Sequence, residues 1–184
     1  MTHSRLMLLD SCSLVNFYAS AHFESLLISL GGIAAIVDLV HDESQFIRTR
    51  SDSGEDEKEP IRLEEPIVSG LLMLLQLESE IEFERYLELA VRLDEGEAAT
   101  LALAASRGGT LVTDDRKALS IARELSVDTV TTPEVLHRWS QGADISETTL
   151  GKALENIRWG ARFEPNRTHP LWTWWRDSIA RSPE

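Results

Sequence analysis

Residues 93–139, LDEGEAATLALAASRGGTLVTDDRKALSIARELSVDTVTTPEVLHRW, decide the fold. Small and aliphatic residues recur at helical spacing over residues 97–107, and Gly108-Gly109 then stops the helix. Residues 110–113 form a short β-rich run, residues 116–125 return to helical spacing, residues 129–131 are again β-rich, and Pro133 opens another helix. Helix and short strand in strict alternation imply βαβ crossovers and a parallel sheet covered on both faces. The expected class is α/β, a three-layer α/β/α domain.

Working outward from that block, residues 5–9 read as a fully buried strand that stops at Asp10. A helix through Ala21 follows, with Ser13 as its candidate cap. Gly31-Gly32 breaks the chain before a second buried strand at residues 33–37, and a helix is expected from Asp38 to about Arg48. Residues 51–60, SDSGEDEKEP, combine Gly, Pro and clustered charge without an apolar anchor, and read as a mobile exposed insertion. EEPIVSGLLMLLQL, residues 64–77, reads as a short helix and then a strand. Residues 80–93 place Ile81, Phe83, Tyr86, Leu87, Ala90 and Val91 at near-helical spacing between charges, an amphipathic helix. After Gln141 come helical fragments carrying Trp159, Trp172, Trp174 and Trp175 among Arg158, Arg162, Arg167 and Arg176. The expected division is a catalytic-type domain over residues 1–140 and a Trp-rich helical extension over 141–184, packed on it.

A chain of 184 residues with 42% hydrophobic and 27% charged residues suits one soluble domain with an appendage. No apolar run approaches the roughly 20 residues of a membrane span, and no secretory signal is legible, so the expected location is cytoplasmic. Cys12 is the only cysteine, which excludes an internal disulfide and a zinc site of paired thiolates, and the His residues lack metal-binding spacing. A net charge of -13 argues against a passive nucleic-acid coat, because phosphate binding relies on Lys and Arg. The acids are then either a solvated surface or, in part, a cluster around a divalent cation.

Placement separates those two readings. In an open parallel sheet, ligands bind outside the carboxyl ends of the strands. Asp10 ends the first strand, and Thr113, Asp114 and Asp115 end the strand at 110–113. Glu97, in the first turn of the preceding helix, comes to the same rim if residues 93–96 form its loop. Each acid alone reads as a helix N-cap. Converging carboxylates, however, repel one another and need a cation or raised pKa values to coexist. Ligation by oxygen alone points to Mg2+ or Mn2+ and to phosphoryl chemistry.

LLDSCSLVNF, residues 8–17, resembles the opening of PIN-domain proteins, a hydrophobic strand followed by an Asp and a small hydroxyl residue. LDEGEAATLALAASRGGTLVTDDRKA is similar to the second half of that domain, where a GEA helix precedes a strand ending in Thr-x-Asp. The resemblance covers about residues 5–140. It implies a metal-dependent nuclease acting on RNA, with toxins held by a small antitoxin among the bacterial members. Carried over by motif, Asp10 matches the first family acid, Glu97 the third and Asp115 the Thr-x-Asp acid, with Asp114 a neighbour that shares the role. The second acid follows a Val-x-x-Glu pattern that Val40 to Glu43 fit, so Glu43 is the choice, with Asp38 and Asp42 as competitors. Ser11 and Thr113 match hydroxyls that support an acid or a metal-associated water.

The implied reaction is in-line hydrolysis of an RNA phosphodiester by a Mg2+- or Mn2+-dependent endoribonuclease. Cys12 is read as a packed small hydrophobe, since a phosphatase thiolate wants an Arg six positions on and finds Tyr18. Arg116 and Lys117 follow the acid pair and are candidates for holding RNA phosphate, or are plain surface charge. The Trp-rich tail is either a stacking surface for RNA or a core-closing or homodimer face. A catalytically silent scaffold that binds RNA or a protein partner is the alternative function.

Overall fold

The computed structural model describes residues 5–42, 46–50, 56–142 and 145–181. The chain runs β1 (Leu6–Leu9), α1 (Ser11–Ala19), α2 (Phe23–Ser29), β2 (Ile33–Val37), α3 (Asp38–Asp42), β3 (Phe46–Arg50), β4 (Asp56–Pro60), α4 (Glu64–Val68) and β5 (Met73–Leu75). It continues through α5 (Glu80–Ala90), α6 (Glu95–Arg107), β6 (Thr110–Val112), α7 (Arg116–Glu124), β7 (Asp128–Val130) and α8 (Thr132–Trp139). Then come α9 (Glu147–Asn156), a π-helical turn (Ile157–Ala161) and α10 (Trp172–Ala180).

Five strands form a parallel sheet in the order β5-β2-β1-β6-β7, with helices on its faces, as the alternating pattern implies. β1 is central: Leu6 pairs with Ile33 of β2 on one side, and Met7 with Thr110 of β6 on the other. Leu8, Leu9, Ala35, Ile36 and Val37 are buried, so these strands read as continuous apolar runs. The chain passes from β1 outward through β2 and β5, then returns to the opposite side of β1 for β6 and β7. The gap between the ends of β1 and β6 is therefore the topological switch point, where open α/β sheets bind ligands.

The stop between α6 and β6 has two causes. Gly108 takes φ +66° at the helix C-terminus, and Gly109 donates its N–H to the Ala104 carbonyl at 2.9 Å. A Cβ on Gly109 would lie 2.8 Å from Leu8 Cδ1 and 3.1 Å from the Leu6 carbonyl oxygen, so a side chain there would force Leu8 and β1 to shift.

Three expectations change. The helix expected from Asp38 to about Arg48 ends at Asp42, and FIRTR instead forms β3, paired antiparallel with DEKEP of β4 from Phe46–Pro60 to Arg50–Asp56. Part of the insertion at 51–60 is thus a strand, and the rest lies outside the described residues. Its cross-strand contacts are non-local: Lys58 Nζ sits 3.9 Å above the Phe46 ring. α1 is capped by Asp10, not Ser13: Asp10 has extended backbone and accepts the Ser13 N–H, while Ser13 lies buried inside the helix.

α5 forms where the amphipathic pattern put it, with Tyr86 and Ala90 packed against the core. An amphipathic helix ordinarily turns its apolar stripe to the core, yet Ile81, Phe83, Leu87 and Val91 are exposed. The inward face carries Leu89 and a buried Glu82, whose carboxylate accepts from Arg107 Nε at 2.7 Å and from the Ser79 N–H at 3.1 Å. A paired, hydrogen-bonded charge holds the position that an aliphatic side chain would have taken.

In the C-terminal part, Trp175 is fully buried with its ring edge-on to Phe163, centroids 5.7 Å apart, while Trp172 and Trp174 are half-buried. The π-helical turn packs on α1, where a Cβ on Gly160 would lie 3.3 Å from Ala19 Cβ. No helix among the described residues is long and apolar enough to cross a membrane.

Candidate active site

The carboxyl ends of β1 and β6 bring several acids together, and two of them, Asp10 and Asp115, cap the helices that follow. Asp10 is 1% exposed. The Ser13 N–H donates to its Oδ1 at 2.7 Å, and the Thr113 hydroxyl donates to its Oδ2 at 2.5 Å. Thr113 Oγ1 also accepts the Asp115 N–H at 3.1 Å, which ties the two strand ends together. Burial raises the Asp10 carboxyl to about 6; the bonds from Thr113 and Ser13 oppose this and the nearby Asp115 charge adds to it.

Asp114 points toward the next crossover. Its Oδ1 accepts the Thr132 N–H at 3.0 Å, in the first turn of α8, and its Oδ2 accepts Asn16 Nδ2 at 3.0 Å. Asn16 is buried and also donates to Thr132 Oγ1 at 3.2 Å, so α1, β6 and α8 are joined through one carboxylate. Burial raises Asp114 to about 7, opposed by Thr132 and reinforced by Asp10.

Asp115 caps α7: its Oδ1 accepts the N–H groups of Lys117 at 2.7 Å and Ala118 at 2.8 Å. Only one of its oxygens is used in this way. Glu97 is half-buried in the first turn of α6, behind an Asp94 cap whose Oδ1 accepts the Glu97 N–H at 2.8 Å. Partial burial raises Glu97 to about 7, with the charges of Asp94, Asp115 and Asp10 acting in the same direction. Asp10, Glu97, Asp114 and Asp115 therefore share one electrostatic neighbourhood.

The remaining sequence candidates fall as follows. Glu43 lies outside the described residues, as does the side chain of Asp42. Asp38 follows β2 directly, at the same end of the sheet as Asp10, with its Oδ1 accepting the Leu39 N–H at 2.9 Å. Ser11 is the half-buried first residue of α1, and Arg116 and Lys117 are exposed in the first turn of α7. Cys12 was expected to be packed and is instead exposed, because the first turn of α1 faces the rim before the helix turns inward at Ser13. Although the residue is exposed overall, loss of water around its thiol, followed by the charges of Asp10, Glu97, Asp114 and Asp115, pushes its pKa up to about 12. It is a neutral thiol at physiological pH, not a nucleophile.

Sequence reasoning missed Asn16 and Asp94. Asn16 lies one turn after Ser13 on a helix face that is otherwise apolar, and a polar residue there needs a buried partner. Asp94-x-x-Glu97 has the spacing of an N-cap and its N3 residue.

The donor chemistry fits a hard divalent cation: the rim offers carboxylate and hydroxyl oxygens, and Asp10, Glu97 and Asp114 carry pKa values raised first by burial and then by neighbouring carboxylates. Among the described residues, no three Asp, Glu, His or Cys side chains stand close enough to enclose an ion. A family model, DUF3368, described as a PIN domain, matches residues 6–167. No curated protein and no solved structure matches the chain.

Proposed function

The chain belongs to the PIN-domain family, a nuclease fold whose members generally use divalent metals, and from that premise we propose that it is a Mg2+- or Mn2+-dependent endoribonuclease. The observation that supports this most is the gathering of mutually repelling carboxylates at the β1–β6 switch point. Asp10, Glu97 and Asp115 would hold the ion, with Asp114 beside them and Glu43 as the fourth acid. When bound, such an ion supplies positive charge against the scissile phosphate.

The chain's own residues do the rest. Thr113 and the Ser13 amide fix the Asp10 carboxylate, and the Asn16–Asp114–Thr132 bonds hold the β6 end rigid against α1 and α8. Glu97 and Asp114, raised to about 7 chiefly by burial, are partly protonated near neutrality, and a bound cation would favour their charged forms. Substrate phosphate is assigned to Arg116 and Lys117, a reading supported by their exposure and by their position directly after Asp115. The chain is read as the toxin of a toxin–antitoxin pair, acting in the cytoplasm, with RNA as substrate and a small antitoxin as partner.

A second reading, a silent scaffold that binds RNA or protein, is favoured by one observation: no enclosing set of three ligands forms among the described residues. Incubation of labelled single-stranded RNA with the protein, in Mn2+, in Mg2+ and in chelator, separates the two. Cleavage that stops in chelator and returns with metal supports the nuclease. RNA retained without cleavage in either metal supports the scaffold.

A further inference from the structure

We propose that the outer face of α5 is a docking site for a basic amphipathic helix of a partner protein. Phe83 (49% exposed), Leu87 (64%) and Val91 (85%) recur every fourth residue and form a continuous apolar stripe along the helix and its C-terminal residue. A regular stripe of that length left in water marks an interaction surface, whereas single exposed apolar residues do not. The opposite face of the helix is the one that packs inward. Leu89 packs into the core and Glu82 is held by Arg107.

Charge decides the occupant. Glu80, Glu84 and Glu88 run alongside the stripe, again every fourth residue, and all three are exposed. The cations around α5 are engaged elsewhere: Arg85 Nη1 donates to Ser106 Oγ at 2.7 Å, Arg92 is paired in a fork with Glu124 at 2.8 and 3.1 Å, and Arg107 bonds Glu82 and the Gln76 carbonyl. The face is thus apolar with an anionic border, on a chain of net charge -13. Its complement is a helix with aliphatic residues at i, i+4 and i+8 beside a row of Lys or Arg. A second copy packed antiparallel through the same stripe would oppose one Glu row with the other, which like-charge repulsion disfavours. α5 carries none of the rim acids, so this inference stands apart from the nuclease reading.

The test uses the full chain and a fluorescent helical peptide of Leu and Lys with that spacing, its Lys-to-Glu counterpart, and sedimentation of the protein alone. The expected result is a monomer that binds the Lys peptide, with at least tenfold weaker binding for the Glu peptide. Leu87→Ser with Val91→Ser, and separately Glu84→Gln with Glu88→Gln, are each expected to weaken binding at least tenfold. Glu24→Gln with Glu155→Gln, an equal change in net charge at exposed positions elsewhere, is expected to leave it within twofold. Equal weakening by both Glu pairs, or no effect of the Leu87/Val91 pair, would overturn the proposal. So would a dimer that the Leu87/Val91 pair dissociates, which would make a second copy the occupant.

Discussion

Asp10→Asn is expected to make the metal-free protein more stable at alkaline pH and no more stable at acid pH. Burial raises the Asp10 carboxyl from 3.8 to about 6. A group whose folded pKa lies above its unfolded value contributes stability that is fully present below the unfolded value and is lost as pH rises through the folded one. The window here is roughly pH 4 to 6. Above it, the buried charge costs ~3 kcal/mol at about 1.36 kcal/mol per pKa unit. An Asn keeps the Ser13 N–H bond on its Oδ1, but its Nδ2 meets Thr113 Oγ1 as a donor and reverses that bond, so the buried Thr113 hydroxyl loses its acceptor at a cost of about 1 kcal/mol. It also relieves Glu97 and Asp114, both of which feel the Asp10 charge. A net gain of about 2 kcal/mol at pH 8 follows, or about 4 to 8 °C in Tm for a domain of this size. The assay is urea unfolding of both proteins in chelator from pH 4 to 8. Stability lowered by the substitution at pH 8, or a gain that persists undiminished at pH 4, would refute the reasoning.

Thr113→Val keeps shape but removes the hydroxyl that donates to Asp10 and accepts from Asp115; the expected loss is about 1 to 3 kcal/mol in denaturant unfolding, with a further rise of the Asp10 pKa in a pH titration. Mn2+ at 100 times its Kd is expected to add about 2.7 kcal/mol and so raise Tm. That gain should shrink between pH 7.5 and 5.5, because protons on Glu97 and Asp114, whose pKa values are about 7, compete with the ion; scanning calorimetry across pH reads it. Glu82→Gln is expected to cost about 2 to 4 kcal/mol at pH 7, because it leaves Arg107 without its buried carboxylate partner. The Glu82 carboxyl is held at about 2, chiefly by Arg107, so its contribution is complete above about pH 4.5 and is lost as pH falls toward 2, the opposite slope to Asp10.

The sheet was legible because its strands are buried on both faces and so appear as unbroken apolar runs, LMLL and IAAIV, and because β6, α7, β7 and α8 follow one another with short loops. Asp10, Asp114 and Asp115 were legible for the same reason, since a strand end fixes where its next residue stands. The β3–β4 hairpin was not: FIRTR and DEKEP gain their strand geometry from each other, and β preference depends on the neighbouring strand. α5 shows a different limit. Periodicity located the stripe of Phe83, Leu87 and Val91, but it cannot say which side faces the core when a paired Glu82 fills the inner position. Cap and candidate site were not separable in sequence because Asp10 caps α1 with one oxygen, on the Ser13 amide, and reaches the end of β6 with the other, on Thr113.

The most direct measurement is the cleavage rate of labelled RNA in Mn2+ by the native protein and by Asp10→Asn, both shown to be folded by the unfolding curves above. Expected, if Asp10 holds the ion as proposed, is a loss of at least a hundredfold in the variant that is also the more stable protein. Equal cleavage by the two proteins would contradict the assignment of the β1–β6 rim as the catalytic centre.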